Sequence, residues 1–244
     1  MGDMDVDAAN VGPLEGREWA GPLNDDFAGD GPLLGYVTNN AGALPDVHRK
    51  GGRYRAHLVD NTGNVTLHFD GGQGRLDAKE VAFPFEVIAR NVGIGRADDS
   101  QRAPTPKGST YTFAGLQVHV IELASANASH FVVGHRGDTH FTVEGKNTVD
   151  GVSKYNDDGA NVLPAGRGDV RIVGMADRTL TAYWQPPNLD YRSRPDRWRL
   201  YRGTGAAPGV APAFGPTVYV GLITYAWNAR GLPFVGTCDA IQQR

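Results

Sequence analysis

Seven histidines are the first residues of this sequence that could bind a metal ion, because imidazole is the commonest transition-metal ligand in proteins. His130, His135 and His140 follow one another at intervals of five. An odd interval reverses the side of a strand on which a side chain lies, so the three cannot share one strand face. We interpret His135 and His140 as a cross-strand pair near a hairpin turn. A two-histidine metal site there is the alternative.

Carboxylates are the next candidates for chemistry. Glycoside hydrolysis commonly uses two of them, but Glu122 and Glu144 each stand alone on a strand among apolar or small neighbours. We therefore predict no catalytic residues and no enzyme activity. The acidic stretches "DD" (98–99) and "NDDG" (156–159) offer the oxygen ligands that calcium takes, without the regular spacing of a calcium loop. No cofactor is predicted, and calcium is the alternative.

Aromatic side chains give a stronger indication of a binding surface. In "TVYVGLITYAW" (217–227), strict alternation places rings on one strand face and small aliphatic residues on the other. Aromatic rings on a concave sheet stack on sugar faces, while nearby polar groups bind the hydroxyls. The predicted carbohydrate-binding residues are Trp184, Trp198, Tyr225, Trp227 and Asn228. Burial of these rings under loops or neighbouring subunits is the alternative.

The tripeptide Arg-Gly-Asp occurs twice, at Arg136–Asp138 and at Arg167–Asp169. Short motifs match by chance often, and Gly with Asp is typical of tight turns. We predict that the first copy closes a hairpin and that the second leads into a strand. Adhesion through either copy is not expected.

The elements that must position these residues are strands. The 244-residue chain contains 33 Gly and 15 Pro, and short β-rich runs recur between turn sequences. Ten or more strands without a helical pattern predict an all-β, two-sheet antiparallel β-sandwich of the jelly-roll type. Residues 1–20 are expected to form an N-terminal tethering arm because they are polar and aperiodic. Residues 21–244 are expected to form a single β-sandwich, lectin-like domain.

Charge and hydropathy exclude some kinds of partner. The net charge is -3 and the basic residues are scattered, so nucleic acid is not an expected partner. No stretch approaches the length of a membrane span. The first residues carry acids where a secretory signal carries Lys or Arg, so Sec export is not expected. The single cysteine, Cys238, is predicted to be a small buried side chain.

Several segments resemble a known group of proteins. "DDFAGDGPLLG" (25–35) looks like the entry strand of concanavalin A-like, laminin-G-like jelly rolls in minor tail proteins of actinobacterial phages. "YTFAGLQVHV" (111–120), "GDVRIVGMADRTLTAYW" (168–184), "WRLYRG" and "PTVYVGLITYAWN" (216–228) are similar in order and spacing to the second half of that fold. The insert "QPPNLDYRSRPD" (185–196) and the loop 98–110 depart from its shortest versions.

This resemblance implies a structural protein of a phage virion, a minor tail or tail-tip component made in the host cytoplasm. Its lectin-like domain would bind host cell-wall carbohydrate. The implied partners are other tail proteins and further copies of the chain, as a trimer or ring. The alternatives are a carbohydrate-active enzyme of the same fold, either a glycoside hydrolase or a polysaccharide lyase, and a capsid or tail decoration protein that binds no glycan.

Overall fold

The computed structural model describes residues 17–58, 74–96, 111–136, 140–156, 162–201, 211–227 and 234–244. Within these ranges the chain forms sixteen strands and one short 3₁₀ turn, Ala41–Ala43. All strand pairs are antiparallel, and they build two eight-stranded sheets. The predicted two-sheet β-sandwich is therefore confirmed. No helix in the described part of the chain is long and apolar enough to cross a membrane.

One sheet, which we call the front sheet, carries the candidate site. Its strands run in the spatial order β1, β4, β14, β6, β7, β8 and β10, and β9 also pairs with β8. Their bounds are β1 Val37–Asn39, β4 Arg75–Ala82, β6 Tyr111–Val120, β7 Ala128–Arg136, β8 His140–Val149, β9 Val152–Asn156, β10 Val162–Leu163 and β14 Thr217–Trp227.

The other sheet, the back sheet, is built around β5. Its order is β13, β12, β11, β5, β15, β3 and β2, and β16 also pairs with β5. The bounds are β2 Asp46–Arg49, β3 Tyr54–Leu58, β5 Phe85–Arg96, β11 Arg167–Gly174, β12 Leu180–Gln185, β13 Arg199–Leu200, β15 Phe234–Cys238 and β16 Ala240–Gln243.

The core lies between the two sheets and follows from the period-two alternation of their strands. On β14, Val218, Val220 and Leu222 are buried in this core, while Ile223 and Tyr225 belong to a separate apolar cluster on the opposite face. The predicted division of β14 into an aliphatic and an aromatic face is confirmed for these residues. Cys238 is fully buried in the core, as predicted.

The two ends of the described chain meet on the back sheet. The amide of Gly21 donates to the carbonyl of Gln243 at 3.0 Å, and Asp25 and Ile241 bond to each other through their main chains. The Arg244 guanidinium lies 4.7 Å from the centre of the Trp19 ring. Residues just before the domain are therefore attached to its last strand, and residues 1–16 lie outside the described chain.

The predicted hairpin between β7 and β8 is present, but the predicted pairing of His135 with His140 across it is wrong. The register places Arg136 opposite His140, and His135 opposite Phe141. The His135 and Phe141 rings meet edge to face at 5.7 Å. The shift by one residue puts the two histidines on opposite faces. The connecting residues 137–139 lie outside the described chain.

The second Arg-Gly-Asp copy begins β11 instead of preceding it. Arg167 and Asp169 are 4% and 0% exposed, and the pairing of β11 with β5 shifts between Gly168 and Val170. The Arg167 guanidinium donates to the Asn91 side-chain oxygen at 2.8 Å. Because these side chains are buried and paired, this copy cannot act as an adhesion ligand.

Candidate functional site on the front sheet

The outer face of the front sheet, turned away from the core, carries an unusual mixture of buried side chains. One row crosses four strands by direct pairing, from Gln117 on β6 through His130 and Lys146 to Tyr155 on β9. Gln117, His130 and Lys146 are at most 2% exposed, whereas Tyr155 is 53% exposed. Polar groups in such positions cost stability unless they are paired.

Glu144 and Tyr225 form the centre of this face. Alternation places Glu144 on the same side of β8 as Lys146, and the neighbouring strands bring it to Tyr225 of β14. The Tyr225 hydroxyl donates to Glu144 Oε1 at 2.5 Å. His130 Nε2 lies 3.9 Å from the same oxygen. These three residues with Lys146 are called the front cluster below.

Aromatic stacking fixes the position of the Tyr225 ring. It lies between Phe113 and His130, with both pairs of ring centroids 5.2 Å apart and the ring planes within 27° of parallel. The Lys146 ammonium is 4.9 Å from the centre of the Tyr225 ring. A cation above an aromatic face is favourable. Tyr225 therefore contacts Lys146 through its ring and Glu144 through its hydroxyl.

The protonation equilibria of the front cluster are shifted. Burial, reinforced by the charge of Lys146, lowers the pKa of His130 to about 4. Burial also lowers the pKa of Lys146 to about 7, although Glu144 opposes that change. Burial disfavours the charged form of Glu144, but its contacts with His130 and Tyr225 outweigh this effect and lower its pKa. Near neutral pH the cluster therefore holds a carboxylate, an uncharged imidazole and a titrating amine.

The His130 ring retains hydrogen-bonding capacity. Neither ring nitrogen has a hydrogen-bond partner among the described residues, and the side chain is 1% exposed. An imidazole nitrogen that is buried without a partner loses the hydrogen bond that it would make to water. A hydroxyl group of a ligand could restore that bond.

A small pocket opens beside the front cluster, toward β1. It holds about 20 Å³, room for about one water molecule. The residues around it include Asn39, Leu76, Gln117, His119 and Ile223. The turn after β6 closes one side, where the Asn39 side chain donates to the Leu123 carbonyl at 3.0 Å. This side of the face is therefore closed by a packed turn.

Of the residues predicted to bind carbohydrate, Tyr225 lies in the front cluster. Trp227 ends β14, two residues further along the strand, and the position of its side chain lies outside what the structure describes, as does all of Asn228. Glu144, His130 and Lys146 were not predicted as members of the site. The sequence shows which residues of β7 and β8 share a strand face. It does not show that these residues meet Tyr225, because that contact depends on the spatial order β14, β6, β7 and β8.

Trp184 and Trp198 lie elsewhere, in or beside the back sheet. Trp184 is 3% exposed and packs in the core between the sheets. Trp198 is 4% exposed and lies near the guanidinium groups of Arg90 and Arg171, at 5.5 and 5.7 Å from its ring. The structure therefore does not bring these two rings together with Tyr225. Their binding of carbohydrate stays a prediction.

The outer face of the back sheet holds a second set of buried charges, which we call the back network. Arg90 donates to both oxygens of Asp196, at 2.7 and 2.9 Å, and to Asp169 at 3.1 Å. Gln185 also donates to both aspartates, at 2.9 and 2.8 Å. These bonds tie the loop between β12 and β13 to the centre of the sheet.

Metal binding has no additional support. Among the residues that the structure describes, no group of three or more His, Cys, Asp or Glu side chains is placed to hold a metal ion. Residues 98–99 and 157–159, where calcium was the alternative, lie outside the described chain.

Comparison with solved structures defines the fold. A xylan β-1,4-xylosidase from Bacillus halodurans C-125 matches 92% of this chain with a TM-score of 0.57 and 14% identity. A GH43 protein from Bacillus licheniformis matches 96% with a TM-score of 0.58 and 14% identity. This chain spans only 39% and 40% of those two proteins.

A third structure is similar in size. A glycoside hydrolase family protein from Mycobacterium thermorestibile matches 91% of this chain and 99% of its own, with a TM-score of 0.51 and 9% identity. No family model and no curated protein matches the sequence. At these identities the likeness shows the fold alone, which is the concanavalin A-like jelly roll that the sequence predicted.

Proposed function

We propose that this protein is a carbohydrate-binding component of a phage virion, and that the outer face of the front sheet is its binding surface. The observation that carries the proposal is the front cluster. It places an aromatic ring, a carboxylate, an amine and an imidazole on a sheet face outside the core. Such groups can bind sugar hydroxyls as donors and acceptors while the ring contacts the apolar side of a sugar.

Burial of the front cluster fits recognition of one or a few sugar groups better than a flat stacking platform. Tyr225 is only 2% exposed, whereas Tyr155, in the same sheet, is 53% exposed. A ligand that contacts Tyr155 on β9 would approach the row of polar residues from the open edge of the sheet. The proposed surface therefore begins at Tyr155 and extends toward Lys146 and His130.

The placement in a virion tail rests on the sequence resemblance to minor tail proteins of actinobacterial phages. Four of the five segments that carry that resemblance contain β6, β11, β12, β13 and β14 of the sandwich. The predicted entry strand at 25–35 is wrong, because this segment forms only isolated bridges at Asp25 and Gly31. Electron microscopy with gold-labelled antibodies against the chain would test this placement. Label on tails of purified particles is expected. Label confined to capsids would favour a decoration protein, and unlabelled particles would contradict the proposal.

Binding is tested with polysaccharide released from actinobacterial cell walls. Wild-type protein is expected to bind, and Tyr225→Phe and Glu144→Gln are expected to weaken binding about tenfold, since each alters one hydrogen bond to a charged or polar partner. Tyr183→Phe, on the outer face of the back sheet, is the matched control and should bind as wild type does. Wild-type protein that ignores every wall fraction would favour a purely structural role.

Trp184→Ala is unsuited to this test because the ring is part of the core. Its removal would leave a large cavity and cost about 3–5 kcal/mol. Trp227→Ala remains a useful variant, because alternation in the sequence predicts that position 227 shares a strand face with position 225.

An enzyme is the second candidate, favoured by the lowered pKa of Lys146. An amine with a pKa of about 7 can accept a proton near neutral pH. Glu144 is the one carboxylate of the front cluster, so the two-carboxylate route of glycoside hydrolysis has no second member there. A lyase reaction fits the cluster better, because it needs one base. The amine takes the proton next to a uronate carboxylate, the glycosidic C–O bond on the neighbouring carbon breaks as the C=C bond forms, and the departing oxygen takes a proton from water. Release of unsaturated sugars by wild type and not by Lys146→Met would support this candidate.

A further inference from the structure

A groove rich in arginine lies at the edge of the back sheet, away from the front cluster. The loop from Pro186 to Trp198 and the following strand β13 expose four arginines, which are Arg192, Arg194, Arg197 and Arg199. The last three line a groove of about 750 Å³ together with Asn188 and three prolines. That volume is typical of small-molecule sites. Among the residues that line it, none is acidic.

The carboxylates nearest to this groove are already used by other donors. Asp196 accepts hydrogen bonds from Arg90, Gln185 and the Asn188 side chain, at 2.7 to 3.0 Å. Asp169 is bound by Arg90 and Gln185 and by the Asn188 amide at 3.1 Å. Neither aspartate lines the groove, and a third, the exposed Asp190, pairs with Arg194 at 3.3 Å.

Arg197 lines the groove, and its side chain is exposed. Its amide donates to the Gln185 side-chain oxygen at 2.6 Å, which fixes its main chain. By contrast, Arg194 pairs with Asp190 at 3.3 Å, and the Arg199 guanidinium lies 5.3 Å from the Trp184 ring.

The back network makes this groove rigid. Arg90 holds Asp196 at the end of the loop with two short bonds, and the Tyr191 ring lies 4.6 Å from the Arg90 guanidinium. The three prolines of the groove limit main-chain freedom further. A rigid frame lowers the entropic cost of ligand binding.

We propose that this groove binds oxyanion groups, carboxylate or phosphate, of an anionic polysaccharide. Arginine presents a planar fork of donors that matches two oxygens of such a group. An anionic polysaccharide fits better than a nucleic acid, because no aromatic ring lines the described groove for base stacking. The site is independent of the front cluster and goes beyond the function proposed for it.

Calorimetric titration with three polymers tests this site. Polygalacturonate supplies carboxylates, poly(glycerol phosphate) supplies phosphates, and dextran is neutral. At low ionic strength the wild-type protein is expected to bind at least one charged polymer and not dextran, and the preferred polymer identifies the anion. Arg197→Ala should weaken that binding about tenfold, as expected for loss of a charge-assisted hydrogen bond. Arg197→Lys should recover part of it.

Arg192→Ala is the matched control. It removes one positive charge from the same loop, but Arg192 lies against Tyr191 and does not line the groove, so binding should change less than twofold. Equal losses in both variants would show general charge attraction and overturn the proposal. Failure to bind either charged polymer, or tighter binding of duplex DNA, would also overturn it. Neutral wall glycans test the front cluster alone, so the two proposals fail separately.

Discussion

Asp169 on the back sheet and His130 on the front sheet are both buried on the outer faces of their sheets, and their surroundings differ sharply. Asp169 accepts four hydrogen bonds, from Arg90, Gln185 and the amides of Asn91 and Asn188, at 2.8 to 3.1 Å. His130 has no hydrogen-bond partner among the described residues. The back network uses its charges to hold the loop before β13, whereas ligand binding is the role that we propose for the front cluster.

The largest expected effect is on the back network. Asp169→Ala removes the acceptor of four hydrogen bonds and leaves Arg90 with less compensation in a buried site. Loss of one partner from a buried ion pair costs about 3–5 kcal/mol. Urea unfolding would measure this loss. Asp190→Ala, which breaks an exposed pair, is the control. Equal stabilities of the two variants would contradict a bracing role for the back network.

The next effect is a pH dependence that belongs to the front cluster. The folded-state pKa of His130 is about 4, and the unfolded imidazole titrates near 6.5. As the pH falls, the unfolded chain binds this proton first, so stability falls between about pH 6.5 and pH 4. The contribution is roughly 3 kcal/mol. His130→Gln should reduce this slope in unfolding measured across the range. An unchanged slope would show that His130 is not the group responsible.

A smaller effect separates stability from binding within the front cluster. Tyr225→Phe keeps the ring between Phe113 and His130 and removes the hydroxyl that donates to Glu144. Loss of a hydrogen bond to a charged group should cost about 2 kcal/mol, measurable as a lower urea midpoint. If the variant keeps full stability and loses wall binding, the hydroxyl serves the ligand alone. If it loses stability and keeps binding, the front cluster is structural like the back network.

The smallest effect is expected for the exposed pair of Asp190 and Arg194 in the loop between β12 and β13. The Asp190 and Arg194 side chains are 56% and 74% exposed, and such pairs contribute less than about 1 kcal/mol. Asp190→Ala should therefore leave the unfolding midpoint nearly unchanged. A large loss of stability would mean that this exposed pair, and not the back network, holds the loop in place.

The fold was predictable where alternation is regular and turns are marked. The run 217–227 reads as a strand with two distinct faces, and β14 has those faces. The strands β15 and β16 were not predicted, because "FVGTCDAIQQR" is short, interrupted by Gly and polar near its end. Their pairing with β5 joins residues about 150 positions apart, and no local pattern records such a contact.

The candidate site was predictable only in part. Tyr225 follows from the alternation of β14, but Glu144 looked isolated because its partner is 81 residues away. For Trp184 and Tyr183, alternation required opposite faces without saying which ring lies in the core. The structure places Trp184 there and leaves Tyr183 outside, 4.9 Å from the Arg171 guanidinium. A local pattern defines faces, while sheet order defines which faces meet.

The position of β5 has a consequence for the order of folding. This central strand bonds to β11 along one edge and to β15 and β16 along the other. The first edge therefore stays open for about 80 residues of synthesis and the second for about 150. Non-local pairing of this kind slows folding, and an open apolar strand can associate with other chains. The nascent chain is therefore expected to need protection until residue 243 has emerged.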